Sequence, residues 1–204
     1  YKRLIDRHLT AWKDDPNRKP LMLRGARQVG KSSAVRQLGA HFDHFVEVNF
    51  EENAGFKSLF SAELNPQHIV ENLSIFLGVP IIPGQTLVFL DEIQSCPQAI
   101  SALRFFYEKM PELHVIAAGS LLEFALQSLP SYGVGRVRSI FLYPFSLDEF
   151  LWTKGEGRLL EAKLLANAQN PLPELLHLKL LEILKKFLLT GGMPEVVANY
   201  AKYG

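Results

Sequence analysis

The chain is nearly free of cysteine, has no excess of either charge and contains no long hydrophobic run. Its one cysteine, Cys96, leaves no internal disulfide possible, which is typical of a reducing compartment. Lysine and arginine total 22 against 21 acidic residues, so the net charge gives no indication of a nucleic-acid-binding domain and leaves only a local patch for such a contact. No stretch reaches the roughly 18 uncharged apolar residues that predict a transmembrane helix. We therefore expect a cytoplasmic protein without a membrane partner.

What the chain does have is the composition of a globular protein. Of its 204 residues, 48% are hydrophobic and 21% are charged, which is enough for a sizeable core. This length suits one domain, or one domain with an appendage.

One segment predicts a specific chemistry. Residues 25–32 read Gly25-Ala26-Arg27-Gln28-Val29-Gly30-Lys31-Ser32, which matches the phosphate-binding pattern G-x-x-x-x-G-K-[ST] in full. Glycines let such a loop wrap tightly, so that consecutive backbone N–H groups point into one concavity and bind phosphate oxygens. We expect the loop, together with Ser33, to bind a nucleotide, Lys31 to reach its β- and γ-phosphates, and the Ser32 hydroxyl to bind Mg²⁺. The helix predicted to begin here adds the positive end of its dipole to the same anion site.

Strand and helix patterns alternate over the first 145 residues. Short apolar or alternating runs predict five strands, at residues 20–24, 44–50, 86–91, 114–120 and 137–143. Amphipathic patterns predict helices at residues 2–13, 66–77 and 98–110 and directly after the phosphate loop. This alternation predicts an α/β fold with three layers, α/β/α, around a mainly parallel sheet of about five strands. Ligands bind such sheets beyond the carboxyl ends of the strands, where Lys31, Asp91, Glu92 and Ser120 fall.

From residue 146 onward the pattern is helical. Ser146-Leu147-Asp148-Glu149 matches a helix capping box, which accounts for both acidic residues without a catalytic role. The polar segment 154–173 is expected to be mobile, and residues 174–189 form a strongly apolar helix that stops at Gly191-Gly192. We therefore predict a core domain over residues 1–145 and a helical C-terminal region over residues 146–204, truncated before a further domain.

A second motif ends the third predicted strand. The apolar run Leu87–Leu90 is followed by Asp91 and Glu92, and Asp91 comes 60 residues after Lys31. At the carboxyl edge of a sheet, Asp91 can hold Mg²⁺ directly or through water, and Glu92 can orient and deprotonate an attacking water. General-base contributions of about 10² to 10⁴-fold are usual. The alternative interpretation is a pair of acidic residues that merely opens a loop.

The spacing between the two motifs leaves room for one extra strand in the chain, at residues 44–50. An adjacent Asp-Glu pair with an inserted strand resembles the additional-strand, catalytic-glutamate division of phosphate-loop ATPases. The resemblance implies ATP as the substrate, although the sequence does not identify a residue that would recognise the adenine base. It also implies that Ser120, at the end of the fourth strand, senses the γ-phosphate and positions the water. Capping the helix that follows Ser120 is the alternative, and both roles can hold at once.

Arg136 is the better candidate for an arginine at the transferred phosphoryl group, a contact worth about 10³ to 10⁵-fold in rate. It follows the glycine-containing loop 132–135 and would act within the chain or across a subunit boundary. The alternative is a solvated loop arginine. Arg138 alternates with it at the edge of the fifth strand, and Arg24 and Arg27 flank the phosphate loop as weaker candidates for a phosphate contact.

Further motifs extend the resemblance to nearly the whole chain. In order, they are Leu23–Ser33, Leu90–Gln94, Ala118–Ser120, Gly135-Arg136, Leu142–Phe150 and Gly191–Glu195. Together they resemble a prokaryotic family of AAA-like P-loop ATPases over about residues 2–200. The resemblance implies a P-loop NTPase fold, Mg²⁺-dependent ATP hydrolysis and a second domain of unknown function after the ATPase core. Ser32-Ser33 departs from the family, where threonine is commoner, but serine serves the same metal-binding purpose.

Three functions follow from these patterns. The leading hypothesis is a Mg²⁺-dependent ATPase whose nucleotide state drives a conformational change, in a homo-oligomer that supplies an arginine in trans. The second is a nucleotide-binding switch that scarcely turns over and acts through protein interaction. The third is a small-molecule kinase, against which the Asp91-Glu92 pair and the long C-terminal helix argue.

Overall fold

A parallel sheet forms the centre of the fold. The computed structural model describes residues 1–61, 64–120, 122, 133 and 135–203. Its strands are β1 (Leu21–Arg24), β2 (His44–Asn49), β3 (Thr86–Asp91), β4 (His114–Gly119) and β5 (Arg138–Phe141). They lie in the order β2-β3-β4-β1-β5, and each neighbouring pair is parallel. The predicted α/β fold with a sheet of about five strands is therefore confirmed.

Helices connect these strands and follow them. In chain order they are α1 (Leu4–Asp14), α2 (Lys31–Gly39), α3 (Pro66–Leu77), α4 (Pro97–Lys109), α5 (Leu147–Thr153), α6 (Gly157–Leu165), α7 (Glu174–Thr190) and α8 (Pro194–Tyr203). Short 3₁₀ helices cover Ala54–Phe60 and Ile93–Ser95. Within the part of the chain that the structure describes, no helix has both the length and the apolar character needed to cross a lipid bilayer.

The segment 154–173 differs from the expected mobile stretch. Helix α6 occupies its first half and buries Leu159 and Leu160 in a small apolar cluster with Phe150 and Ile183. The helix contains two leucine pairs, Leu159-Leu160 and Leu164-Leu165, and only the first pair is buried, so its apolar face is narrow.

The central strands are apolar because the sheet is covered on both faces. All six residues of β3 and all six of β4 are buried. Their side chains pack with those of β2, α3 and α4 in one cluster that includes Val48, Leu73, Leu90 and Leu103. Strands of a parallel sheet that is buried on both sides are expected to read as near-continuous hydrophobic runs.

The strand order sets the spacing of the predicted functional residues. β2, the strand inserted in the chain between the phosphate loop and Asp91, lies at the edge of the sheet. β4 lies between β1 and β3, with Ala118 beside Leu23 on one side and Ile116 beside Phe89 on the other. Because neighbouring strands are ~4.8 Å apart, the carboxyl ends of β1 and β3 are separated by roughly 10 Å.

The chain divides into two compact units, residues 7–142 and residues 1–6 with 143–204. The first unit contains the whole sheet. The second is helical, and its core holds the Phe150 ring beside those of Phe187 and Tyr200, with centroid distances of 5.3 and 5.7 Å. The sequence-based domain boundary at residue 145 stays a prediction.

Glu149 joins the two chain segments of the second unit. Its Oε2 accepts from the Ser146 N–H (2.9 Å) and its own N–H donates to Ser146 Oγ (3.2 Å), which confirms the predicted capping box. Its Oε1 accepts from Arg3 Nε (2.8 Å) and from the Leu4 N–H (2.7 Å) at the start of α1. Burial works to raise the pKa of Glu149, but the hydrogen bonds from Arg3, Ser146 and Leu4 outweigh it and hold that pKa below its ordinary value.

Arg3→Met should lower the free energy of unfolding by about 3 kcal/mol, because it leaves the Glu149 carboxylate buried without its cation. Chemical denaturation measures this loss. Lys163→Met is the matched control, since Lys163 Nζ pairs with Asp148 at 2.8 Å while both side chains are about 30% exposed. Such a half-solvated pair contributes less than ~1 kcal/mol, so equal losses in the two variants would contradict the prediction.

His114 is a buried titratable residue at the start of β4. Its ring lies edge-on to those of Trp12 and Phe42, with centroids 5.7 and 4.8 Å away. Nε2 lies 3.1 Å from the Lys13 carbonyl oxygen. Burial lowers the pKa of His114 to about 4, although the hydrogen bond to Lys13 opposes this shift. The ring is therefore neutral at pH 7 and acts as a packed core group.

Stability should fall as the pH falls from about 6.5 to about 4, because His114 takes up a proton in this range only when the chain is unfolded. The slope due to this residue is at most ~1.4 kcal/mol per pH unit. Thermal unfolding of wild type and His114→Phe between these pH values measures it. The variant keeps an aromatic ring and should lose part of the pH dependence, and identical profiles would rule the prediction out.

Candidate active site

The segment between β1 and α2 is a loop that glycine makes possible. Gly25 has a φ of +145° and Gly30 a φ of +96°, values that other residues rarely adopt. A Cβ on Gly25 would overlap the carbonyl oxygen of Leu142. Val29 is fully buried beneath the loop and anchors it. Because the first turn of α2 leaves backbone N–H groups without helical partners, the loop presents an anion-binding site.

Lys31 is a confined charge inside this loop. Its side chain is buried, and Nζ donates to the carbonyl oxygens of Gly25 (2.9 Å) and Ala26 (2.8 Å). Burial lowers the pKa of Lys31, while the nearby carboxylates of Glu92 and Asp91 oppose that shift. The ammonium group is therefore held where a phosphate group in the loop would meet it.

A hydrogen bond joins the loop to β3. Ser32 Oγ donates to Asp91 Oδ2 at 2.7 Å. Asp91 is only 3% exposed. Burial raises its pKa, while the hydrogen bonds from the Ser32 hydroxyl and the Glu92 N–H oppose the rise. The two motifs, which lie far apart in the sequence, thus meet at one place.

Glu92 follows β3 in the left-handed conformation, with φ 49° and ψ 44°, which is strained for a residue other than glycine. Its N–H donates to Asp91 Oδ1 (3.0 Å), and its carboxylate Oε2 accepts from Gln94 Nε2 (2.6 Å). The sequence motif Leu90–Gln94 did not predict that Gln94 contacts Glu92, because a motif does not show where a side-chain amide lies. The position of Gln94, two residues after the acid pair, was the only feature of the sequence that could have indicated it.

A cavity of about 350 Å³ lies over the loop. Its lining comes from the phosphate loop, the start of α2 and the residue after β3, and consists of Arg27, Gln28, Gly30, Lys31, Ser32, Ser33 and Glu92. This volume lies in the range of about 300–1,000 Å³ that is typical of small-molecule sites. The structure therefore brings these predicted residues together around one space.

Ser120 lies at the same edge of the sheet, directly after β4. It is 2% exposed, and its Oγ has no hydrogen-bond partner among the described residues. A buried hydroxyl usually has a hydrogen-bond partner, so Ser120 Oγ is available to a group that binds at this edge of the sheet. Apart from Leu122, the segment that Ser120 would cap lies outside the described residues, so the capping role stays a prediction.

The structure does not bring Arg136 to this cavity. β5 pairs in parallel with β1, with Arg138 beside Leu21, so Arg136 lies near the amino edge of the sheet, opposite the phosphate loop. Its Nε contacts Glu108 Oε1 at 2.5 Å, and Arg104 shares that carboxylate. A role within its own chain has no support from this position, and a role in a neighbouring copy stays a prediction.

The other arginines differ in position. Arg27 lines the cavity and lies 3.6 Å from Glu51 in an exposed ion pair. Arg24 stacks its guanidinium 4.7 Å from the centre of the Phe141 ring. Of the two, only Arg27 is placed to touch a nucleotide in this cavity.

Ser32 and Asp91 provide oxygen atoms of the kind that Mg²⁺ prefers. No group of three or more His, Cys, Asp or Glu residues in the described part of the chain could hold a metal ion by itself. In nucleotide sites Mg²⁺ is usually held by one or two protein groups plus phosphate oxygens and water. The hydroxyl and carboxylate pair therefore fits this ion.

A parallel sheet with a phosphate loop after one strand and an Asp-Glu pair after another defines a P-loop NTPase. The family profile of the AAA domain matches residues 17–151. The chain belongs to this AAA domain family, and the membership supports ATP binding and hydrolysis in general terms.

Solved structures share the fold. The Walker-type ATPase PABY2304 of Pyrococcus abyssi is similar with a TM-score of 0.56 and 19% identity, over 100% of this chain and 67% of that chain. PCH-2 of C. elegans is similar with a TM-score of 0.45 and 15% identity, over 83% of this chain and 49% of that chain. The likeness to the Pyrococcus abyssi ATPase concerns the fold alone. No curated protein matches the chain.

Gly25→Ala should weaken nucleotide binding, because its Cβ would overlap the Leu142 carbonyl in a φ region that only glycine adopts freely. We expect a loss of about 3 kcal/mol in the free energy of unfolding and at least about tenfold weaker binding of a fluorescent ATP analogue.

Gly78→Ala is the matched control for this change. Gly78 has a φ of +65°, but a Cβ there would meet nothing within 4 Å. This variant should lose about 1 kcal/mol and bind the analogue normally. Normal binding by Gly25→Ala would show that the loop tolerates the overlap and would refute its predicted shape.

Proposed function

We propose that this chain binds ATP together with Mg²⁺ and hydrolyses it to ADP and phosphate. The observation that supports this most is the Ser32–Asp91 hydrogen bond of 2.7 Å, which joins the phosphate loop to the acid pair. Because of this junction, Glu92 and Lys31 line the same cavity. Membership of the AAA domain family supports the activity in general terms.

Phosphate binding would come from the loop and from Lys31. The backbone N–H groups at the start of α2 would bind phosphate oxygens, and Lys31 would reach the β- and γ-phosphates. Lys31 Nζ now donates to two neutral carbonyl oxygens, so a phosphate would replace them with charged acceptors. The ammonium group attracts a negatively charged phosphate oxygen more strongly than a neutral carbonyl oxygen, which favours the exchange.

Ser32 and Asp91 are the groups that would hold Mg²⁺, which when bound supplies positive charge at the β- and γ-phosphate oxygens. Asp91 is almost completely buried, and a desolvated carboxylate gains strongly from a nearby cation. Substitution of either oxygen donor should therefore weaken nucleotide binding when Mg²⁺ is present.

Glu92 would act as the general base. Its carboxylate would accept a proton from the water whose oxygen attacks the γ-phosphorus, while the bond from that phosphorus to the β-phosphate oxygen breaks. Ser120, whose buried Oγ has no partner among the described residues, would contact the γ-phosphate or that water. Loss of the γ-phosphate would remove this contact, which is the proposed origin of a conformational change.

A nucleotide-dependent switch with little turnover is the second candidate function. The position of Arg136, paired with Glu108 at the edge of the sheet opposite the loop, favours it. Under this alternative, phosphate release per chain should stay low at every protein concentration. A steep rise with concentration that Arg136→Ala removes would contradict the switch and would support an ATPase in which a neighbouring copy supplies the arginine.

Lys31→Ala and Glu92→Gln should separate binding from chemistry. Lys31→Ala loses the cation of the phosphate loop, so MgATP affinity should fall at least about tenfold. Glu92→Gln keeps the loop and loses the base, so it should bind MgATP normally and release phosphate about 10² to 10⁴-fold more slowly. Calorimetric titration with MgATP and a steady-state phosphate assay measure the two effects.

Lys57→Ala is the control for Lys31→Ala, since it removes a lysine of the 3₁₀ helix Ala54–Phe60, which does not line the cavity. Equal MgATP affinity in wild type and Lys31→Ala would refute the nucleotide site. Equal phosphate release in wild type and Glu92→Gln would refute the role of Glu92.

A further inference from the structure

Two buried oxygen atoms that follow β3 and β4 have no hydrogen-bond partner among the described residues. One is Ser120 Oγ, which the proposed function uses. The other is Oε1 of Gln94, whose amide nitrogen is bonded to the Glu92 carboxylate. Gln94 thus touches the base with one end of its amide and carries an unsatisfied acceptor at the other.

The backbone around Gln94 is held firmly. Gln94 lies in the 3₁₀ helix Ile93–Ser95, and the flanking Ile93 and Cys96 are buried in the main apolar cluster. The Cys96 N–H donates to the Ile93 carbonyl oxygen (2.9 Å). Because these neighbours are buried, the position of the Gln94 backbone is fixed. Its side chain extends from there toward Glu92, the residue that follows β3.

The end of β4 holds the other side of the Gln94 amide. A Cβ added to Gly119 would overlap Gln94 Oε1, so the amide occupies the space that any other residue at position 119 would fill. Gly119 directly precedes Ser120. The amide therefore lies between the Glu92 carboxylate and the strand end that carries Ser120.

The bond to Glu92 is short and charge-assisted. Gln94 Nε2 lies 2.6 Å from Glu92 Oε2, whereas its contact with Glu51 Oε1 is longer, at 3.3 Å. Hydrogen bonds to an ionised acceptor are roughly twice as strong as neutral ones. Glu92 lines the phosphate cavity in the same structure in which it accepts this bond. The amide therefore holds the carboxylate in an orientation in which Glu92 faces the proposed nucleotide site.

We propose that Gln94 is a positioning residue for the Glu92 carboxylate, held in place by the close approach of Gly119. This inference rests on the proposed hydrolysis of ATP. Gln94 itself does not line the cavity. It fixes the orientation of the base, and a misplacement of about 1 Å in a catalytic group can cost about 10²-fold in rate.

The first test is Gln94→Met, which keeps the length of the side chain and removes the N–H donor. We expect kcat for phosphate release to fall about 10- to 100-fold, with the MgATP dissociation constant unchanged within about twofold. Gln98→Met is the matched control, because Gln98 is an exposed residue in the first turn of α4 and should turn over like wild type. A wild-type kcat in Gln94→Met would overturn the proposal. Affinity and kcat that fall together would also overturn it, because a merely structural role predicts that result.

Two further variants test the route of the effect. In a Glu92→Gln background, Gln94→Met should cause no additional loss, because the residue acts only through Glu92. An additive loss would overturn the proposal. Gly119→Ala should reproduce the loss of kcat although Glu92 and Gln94 are both retained, because the new Cβ would displace the Gln94 amide. Thermal unfolding of each variant confirms that the fold is retained.

A spectroscopic measurement tests the contact without turnover. In the nucleotide-free protein, the side-chain amide signals of Gln94, assigned with Gln94→Met, should shift more on Glu92→Gln than on Glu51→Gln, because the bond to Glu92 is the shorter one. An equal or larger shift on Glu51→Gln would overturn the proposal. If wild type releases no phosphate at all, hydrolysis fails and the positioning role fails with it. If wild type turns over and Glu92→Gln does not, a normal Gln94→Met overturns the positioning role alone.

Discussion

The site depends on a separation: β4 lies between the strand that carries the phosphate loop and the strand that carries Asp91 and Glu92. Groups from β1 and β3 must therefore reach across roughly 10 Å, or two strand spacings, to meet. The Ser32–Asp91 hydrogen bond closes this gap above the end of β4. β4 finishes with Gly119, where a Cβ would overlap Gln94 Oε1.

In this structure the protein groups of the site are satisfied largely by one another. Lys31 donates to carbonyl oxygens of its own loop, Ser32 donates to Asp91, and Glu92 accepts from Gln94. A nucleotide would therefore exchange bonds more than add them, and exchanged hydrogen bonds contribute only modest net free energy. Affinity would then come mainly from phosphate charge placed against a buried ammonium group and the N-terminus of α2.

Much of the fold and part of the site can be read from the sequence, because both motifs are local. The phosphate loop and the Asp91-Glu92 pair each need only a strand end and a few following residues, and the alternation of elements predicts the parallel sheet. The distance between Arg136 and the loop could not be predicted, because it depends on which end of β5 meets which end of β1. The contact between Gln94 and Glu92 could not be predicted for a similar reason, since the position of the Gln94 amide depends on the glycine at position 119 in a neighbouring strand. The roles of individual side chains stay predictions.

The Arg3–Glu149 pair also bears on how the protein is made. Its two members are 146 residues apart in the chain and belong to the same compact unit, whose segments lie on either side of residues 7–142. During synthesis Arg3 emerges before the sheet, but its carboxylate partner is added only after the whole sheet has been translated. Because compact units tend to fold as they emerge, residues 7–142 can fold while Arg3 still lacks its partner. The helical unit can close only late, when the ribosome has passed Glu149.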